Sequence, residues 1–256
     1  MNIREELKFN EGYYKINREE RNLAAIFYHS LLLGDNLNIF LNLINSKFSI
    51  VETEMGIYFE YAYIRDLWSN IKQDNEFKKK LILDLLQPNN RIELESMAVY
   101  DFNKFFGAAR TLSTEYIASP GNWSIRYFNE NITDNAEFIK VCKFKWCFNA
   151  KPDIVIHTTN NTAICIEAKY ESGEGVYPSN VIEKNIFKER GLELTGQLSI
   201  QKQIMDELLG IETEYVFLVQ NKHESETHKT LTWKEVFLKM DTEKCPFFIR
   251  EWIKRL

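Results

Sequence analysis

The sequence predicts an α/β fold, a central sheet flanked by helices, from three observations. Residues 17–33 carry apolar side chains at helical spacing. The β-rich runs Ile154–Ile156 and Ala163–Ile166 flank a polar Thr-Thr-Asn-Asn-Thr turn, which is a hairpin pattern. A helical pattern near 192–209 is followed by the short, wholly apolar run Tyr215–Val219. Helix, strands, hairpin, helix and strand in that order favour a layered α/β unit with its core against the sheet.

Each element has a local reason. Asn17 is placed to cap the first helix, with Glu20 three residues later as its capping-box partner. Leu23, Ala24, Phe27 and Leu31 form its apolar stripe, and Gly34 ends it. From 35 to 118 the pattern is mostly helical, over Asn38–Ile44, Tyr58–Ile71, Glu76–Leu86 and Leu94–Leu112. Pro88 and Asn89-Asn90 interrupt it, and Ser119-Pro120-Gly121 closes it. No repeat or low-complexity linker separates the parts, so 1–256 reads as a single domain and 35–118 as a helical insertion or subdomain within it. Trp123–Phe128 and Phe138–Phe148 have β character and are expected as strands. Beyond Gly173 and Gly175 come a polar loop, the 192–209 helix stopped by Gly210, the Tyr215–Val219 strand, and a last helix, Thr232–Met240, started by Thr232.

Composition narrows the function classes. The 256 residues are 45% apolar and 14% aromatic, enough for a substantial core. A net charge of −5 gives no global basic signal, so a polyanionic partner would need local patches such as Lys140, Lys143, Lys145 and Lys151, or Lys184, Lys188 and Arg190. Cys142, Cys147, Cys165 and Cys245 show no zinc-ligand spacing. Met1-Asn2-Ile3-Arg4-Glu5-Glu6 leads into no signal-peptide core, and no apolar run reaches the roughly 18 residues needed to span a bilayer, so a cytoplasmic protein without a membrane partner is expected. There is no P-loop, no dinucleotide glycine pattern and no nucleophile elbow. His157 sits among apolar strand residues, His29 in an apolar helix, and His223 and His228 in a charged loop, and none has a ligand partner at useful spacing.

The chemistry concentrates at one end of the hairpin. Asp153 opens the first strand, while Glu167 and Lys169 close the second, two positions apart and therefore on one face. Two carboxylates beside an ammonium suggest a divalent-metal hydrolytic site, because crowded carboxylates repel until a cation joins them. Removing either carboxylate should then relieve the metal-free protein. Asp153 shares the face of Glu167 only if the turn has an odd number of residues or a strand carries a bulge. A three-residue Asn160-Asn161-Thr162 loop, with an asparagine in the left-handed region, would set Asp153 opposite Lys169.

Pro152-Asp153 followed by Glu167-Ala168-Lys169, each half on an expected strand, resembles the PD-(D/E)XK nuclease superfamily. The resemblance covers roughly 17–33 and 123–240. It implies a restriction-endonuclease-like core of order α-β-β-β-α-β, with a mixed central sheet and the helical insertion after the first core helix. It implies magnesium, replaceable by manganese, held by Asp153, Glu167 and the Ala168 carbonyl, with Lys169 acting on the attacking water. It implies phosphodiester hydrolysis, most naturally as a DNA endonuclease in restriction, phage defence or repair, with a homodimer or partner subunit left open. A nuclease-fold protein that binds nucleic acid or a protein without cleaving is the alternative, against which the intact Asp153, Glu167 and Lys169 set argues.

Two further positions follow from the resemblance. Family members often carry a glutamate on the first core helix, and Glu20 lies nearer the centre of the apolar stripe than Glu19. Glu20 either faces the site or caps the helix, with Glu19 as the fallback. A glutamine commonly follows on the next core helix, with a tyrosine four residues on. Here Gln197 is followed at that spacing by Gln201, so the pair is either a polar helix face or an amide pair able to bind phosphate or the carboxylates.

Overall fold

The computed structural model describes residues 12, 17–72, 74–108, 115–221, 225 and 227–256. Met1–Glu6 and His223 lie outside them, as do the last residues of the expected Leu94–Leu112 helix. In chain order come α1 (Glu20–Leu31), α2 (Asn36–Leu43), β1 (Gly56–Phe59), α3 (Tyr63–Asn70), α4 (Asn75–Leu86), α5 (Arg91–Ser96) and α6 (Val99–Phe105). Then follow α7 (Ile125–Asn131), α8 (Asn135–Cys147), β2 (Ile154–His157), β3 (Thr162–Ala168), β4 (Val176–Tyr177) and α9 (Val181–Glu189). The chain continues with β5 (Thr195–Gly196), α10 (Gln197–Lys202) running into a π-helical turn (Gln203–Leu208), β6 (Glu212–Val219), β7 (Lys229–Thr232), α11 (Trp233–Phe237) and α12 (Phe247–Ile253).

The chain divides into two compact units, one of 1–61, 152–173 and 211–256, the other of 62–151 and 174–210. The first holds a mixed five-stranded sheet of order β1-β2-β3-β6-β7. β1 with β2 and β2 with β3 are antiparallel, while β3 with β6 and β6 with β7 are parallel. One sheet face presents Ile154, Ile156, Ile164, Ile166, Val216 and Leu218 to the helices α1, α2, α11 and α12. The α1 stripe Leu23, Ala24, Phe27 and Leu31 is buried there, as its spacing predicts. Phe27 sits at the centre, edge-on to Phe40 at 5.2 Å, Trp233 at 6.1 Å and Phe237 at 6.2 Å between ring centroids. Asn36, fully buried, donates to the Ser30 and Asp241 carbonyls and accepts from Asp241 N–H, so its amide is satisfied while tying α2 to the turn after α11.

The second unit is helical apart from the small β4-β5 ladder. α8 is its spine. Phe138 of α8 packs on Phe128 and Phe187, and Trp123 stacks on Phe106 at 3.9 Å. Arg190 binds the chain between α7 and α8, donating to Asn129 Oδ1, Asn129 O and Ile132 O at 2.6–2.7 Å and lying 4.0 Å over the Phe138 ring.

Several sequence expectations are corrected. Trp123–Phe128 and Phe138–Phe148 are not strands but largely the helices α7 and α8. Alternation in Phe144-Lys145-Trp146 mimics a strand, yet Asp134 caps α8, its Oδ1 accepting from Glu137 N–H at 2.8 Å. Fixing that first turn removes the costly step of helix formation, and the aromatic residues then propagate it. The strand beside β2 is instead β1, inside the stretch expected to be helical. The apolar spacing of Tyr58–Ile71 straddles a strand and a helix, separated by Glu60, whose φ of 54° turns the chain. The first helix is not capped by an Asn17–Glu20 box. Asn17 Oδ1 accepts from Glu19 N–H, Glu19 is the residue before the helix, and the Glu20 side chain goes elsewhere. The helix expected from Thr232 starts where predicted, but it ends at Phe237 and is not the last, since α12 follows it. Thr232 and Glu235 form a complete capping box, which fixes Trp233 as its first residue.

Candidate active site

The hairpin turn decides which side chains can meet. β2 and β3 pair Ile154 with Ile166, Val155 with Cys165, Ile156 with Ile164 and His157 with Ala163. Thr158 N–H then donates to Thr162 O at 3.0 Å, so the loop is Thr159-Asn160-Asn161, with three residues. An odd loop was expected, but the pairing is displaced by one residue on each strand. Continuing the register sets Asp153 opposite Glu167 rather than Lys169. Neither asparagine takes a positive φ. The turn is held by hydroxyls instead: Thr162 Oγ1 lies 2.7 Å from both Thr158 Oγ1 and Thr159 Oγ1, and Asn161 N–H donates to Thr159 Oγ1.

Asp153, Glu167 and Lys169 therefore share one face of the sheet, opposite the face covered by α1. Asp153 Oδ2 accepts from Ala168 N–H at 2.8 Å, a bond across the strand end that fixes the carboxylate. Its backbone carbonyl accepts from Glu60 N–H, and Pro152 O from Tyr61 N–H, so the turn after β1 braces the Pro-Asp pair. Glu167 is 1% exposed, and Lys169 Nζ donates to its Oε1 at 2.6 Å. Lys169 itself is anchored through its backbone, with N–H to Leu218 O and its carbonyl receiving Trp233 Nε1–H at 2.8 Å.

Glu20 joins this group. From the first turn of α1 it reaches past the end of β3, where its Oε2 accepts from Tyr170 N–H at 2.8 Å and Ser172 Oγ–H at 2.7 Å. Its Oε1 lies 3.9 Å from Lys169 Nζ. Of the two readings open for Glu20, the geometry gives the one facing the strand end, not the cap; Glu19 is exposed. Tyr170, Ser172, Glu60 and Trp233 were not singled out in the sequence, because nothing local links them to residues up to 152 positions away. Only the adjacency of Tyr170 to Lys169 was a usable signal.

Gln197 belongs to the second unit. It is the first residue of α10, its N–H donates to Gly175 O at 2.8 Å, and its amide lies against Gly175, where a Cβ would come within 2.7 Å of Oε1. Gln201 is 2% exposed. His157 packs between Tyr58 and Tyr61, with Nε2 2.9 Å from Tyr61 Oη, and burial lowers its pKa. Of the basic residues noted in the sequence, Arg190 is committed to the α7–α8 connection, while Lys140 donates to Gln87 O and stays partly exposed.

Burial, and after it the Glu167 carboxylate, push the Asp153 carboxyl up to about 7, against the pull of the Ala168 N–H bond and Lys169. Burial draws the Lys169 ammonium down, but Glu167, Glu20 and Asp153 outweigh it and hold its pKa above the ordinary lysine value. Among the described residues no three His, Cys, Asp or Glu side chains form a ready metal cage. Magnesium does not need one, since it keeps several waters and takes one or two carboxylates. Asp153 and Glu167 could supply those. The Ala168 carbonyl leaves β3 on the same edge as its N–H, the Asp153 edge, and offers a third oxygen. An aspartate driven toward neutrality by burial and then by a neighbouring carboxylate is chemistry that a cation would relieve, so the residues fit the ion.

A pH dependence follows. Folded Asp153 holds its proton up to about 7 whereas the ordinary value is 3.8, so folding takes up a proton in that window. Metal-free stability should fall as pH rises from about 4 to about 7 and level off above. Thermal midpoints of the metal-free protein measured from acid to pH 8 should slope downward, and Asp153→Asn should flatten that slope. An unchanged slope would show that Asp153 is not the group titrating.

Comparison with protein-family models, curated proteins and solved structures gave no match. No helix among the described residues is long and apolar enough to cross a membrane.

Proposed function

We propose that this chain is a metal-dependent nuclease of the restriction-endonuclease-like kind, hydrolysing phosphodiester bonds with DNA as its substrate. One observation carries the reading: Asp153, Glu167, Lys169 and Glu20, from two strands and a helix, gather at one end of a mixed sheet, with Pro-Asp and Glu-Ala-Lys in register. Leaving the inserted helices aside, the element order α1, β1, β2, β3, a helix, β6 fits the core that the motif suggests.

Bound magnesium would lower the pKa of a coordinated water and neutralise charge developing on the phosphate. Asp153, Glu167 and the Ala168 carbonyl are the groups to hold it. Asp153 is preset by Ala168 N–H and needs no rotamer search. Lys169, charged and tied at its backbone by Leu218 and Trp233, is positioned to donate to the attacking water or the phosphoryl oxygen. Glu20, held at Oε2 by two donors, keeps the ammonium oriented and adds negative charge that favours a cation.

Incubating the protein with supercoiled plasmid and with RNA in magnesium tests the reading, cleavage of DNA being the expected result. Calcium should support DNA binding with little turnover, because its larger, looser coordination positions water less well. Activity that survived magnesium withdrawal but vanished on zinc chelation would overturn the metal assignment.

A further inference from the structure

Lys169 is the cation that the carboxylates already have. Its side chain is 12% exposed, with Nζ 2.6 Å from Glu167 Oε1 and 3.9 Å from Glu20 Oε1. Glu167, Glu20 and Asp153 all act electrostatically on this one ammonium. The Glu20 carboxylate is asymmetric: Tyr170 N–H and Ser172 Oγ–H both occupy Oε2, and Oε1 is the oxygen near the lysine. The lysine backbone cannot drift, since both its N–H and its carbonyl are bonded. Its stem is four flexible carbons, so Nζ can pass from one carboxylate to the other by rotation alone.

We propose that Lys169 is a tethered counter-ion that a divalent cation displaces, its ammonium leaving Glu167 and settling on Glu20 as the metal takes the Glu167 oxygen. This rests on Asp153 and Glu167 being the cation ligands. Glu20 is then the landing site of the lysine and not itself a ligand. The exchange couples metal entry to the placement of the ammonium, so that the lysine is released toward its catalytic position only when the ion arrives.

Calcium titration calorimetry without nucleic acid, at about pH 8, tests this on the wild type, Lys169→Met, Glu20→Gln and the double variant. Circular dichroism checks folding, and Lys169→Gln replaces Lys169→Met if the latter does not fold. Lys169→Met should bind calcium at least ~tenfold more tightly, since a charge competing within a few ångströms is gone. Glu20→Gln should weaken binding several-fold in the wild type and have no effect when Lys169 is already Met, the signature of action through the lysine. Equal or weaker binding by Lys169→Met overturns the counter-ion while leaving the nuclease reading intact. A Glu20→Gln loss of equal size in both backgrounds overturns it too, by making Glu20 a direct ligand. No calcium binding by the wild type would remove both the counter-ion and the metal site.

Discussion

Replacing Asp153 with Asn is expected to abolish magnesium-dependent cleavage, a loss of about a thousandfold or more, as is replacing Glu167 with Gln. The two variants should part company in stability. Asn at 153 still offers an oxygen to Ala168 N–H, and it removes a carboxylate that burial and Glu167 drive toward neutrality. The metal-free Asp153→Asn protein should therefore melt at the wild-type temperature or a few degrees above it. Gln at 167 takes the charged partner from a buried ammonium 2.6 Å away, which costs about 1–3 kcal/mol. Crowding of carboxylates alone would have both variants stabilised, but the lysine lodged against Glu167 reverses the sign there. Cleavage assays beside thermal melts of both proteins check this. Wild-type cleavage rates in either variant would sink the active-site assignment.

Trp233→Ala should be the most damaging single change to the first unit, at about 3–5 kcal/mol. The ring is fully buried, stacks on Phe237 at 6.2 Å and meets Phe27 edge-on. It also donates to the Lys169 carbonyl, so the core and the strand end that carries Lys169 are held by the same residue. Trp233→Phe separates the two roles. It keeps most of the packing, costs about 1–2 kcal/mol with the lost hydrogen bond included, and should lower kcat more than it raises KM. Urea unfolding with steady-state cleavage on both variants is the measurement. A Trp233→Phe protein with unaltered kcat would show that the bond to Lys169 matters only for folding.

The hairpin, its odd loop and the acidic residues at its ends were legible in the sequence because period-2 alternation and a polar turn are local signals. The α1 stripe and the Thr232 start were legible for the same reason. What misled was α8, where aromatic β-formers conceal a helix whose only local announcement is Asp134 with Glu137 three residues later. β1 was missed because it is four residues long and defined by pairing with β2, about a hundred residues away. At the strand end, the roles proposed for Asp153, Glu167 and Lys169 could be read from their spacing. The role of Glu20 could not, since its donors Tyr170 and Ser172 are brought to it only by the packing of α1 on the sheet.

The three-residue turn at Thr159-Asn160-Asn161 has a consequence for how such a chain can vary. A residue added or removed there is absorbed by the loop as long as Thr158 still pairs with Thr162, because residues directly opposite in an antiparallel ladder point to the same face. Only a one-residue slip within β2 or β3 moves Asp153 to the face opposite Glu167. Relatives of this protein, and laboratory variants of the turn, should therefore vary in turn length while keeping the stretch from Asp153 to Thr158 matched to the stretch from Thr162 to Glu167, or carry a compensating bulge. A single-residue deletion inside β2, at Val155 for example, would keep the turn and every acidic group yet carry Asp153 to the other face and disperse the cluster. The Thr158–Thr162 pair that closes the turn lies at the far end of the hairpin from the carboxylates, touches none of them, and still sets the parity on which their meeting depends.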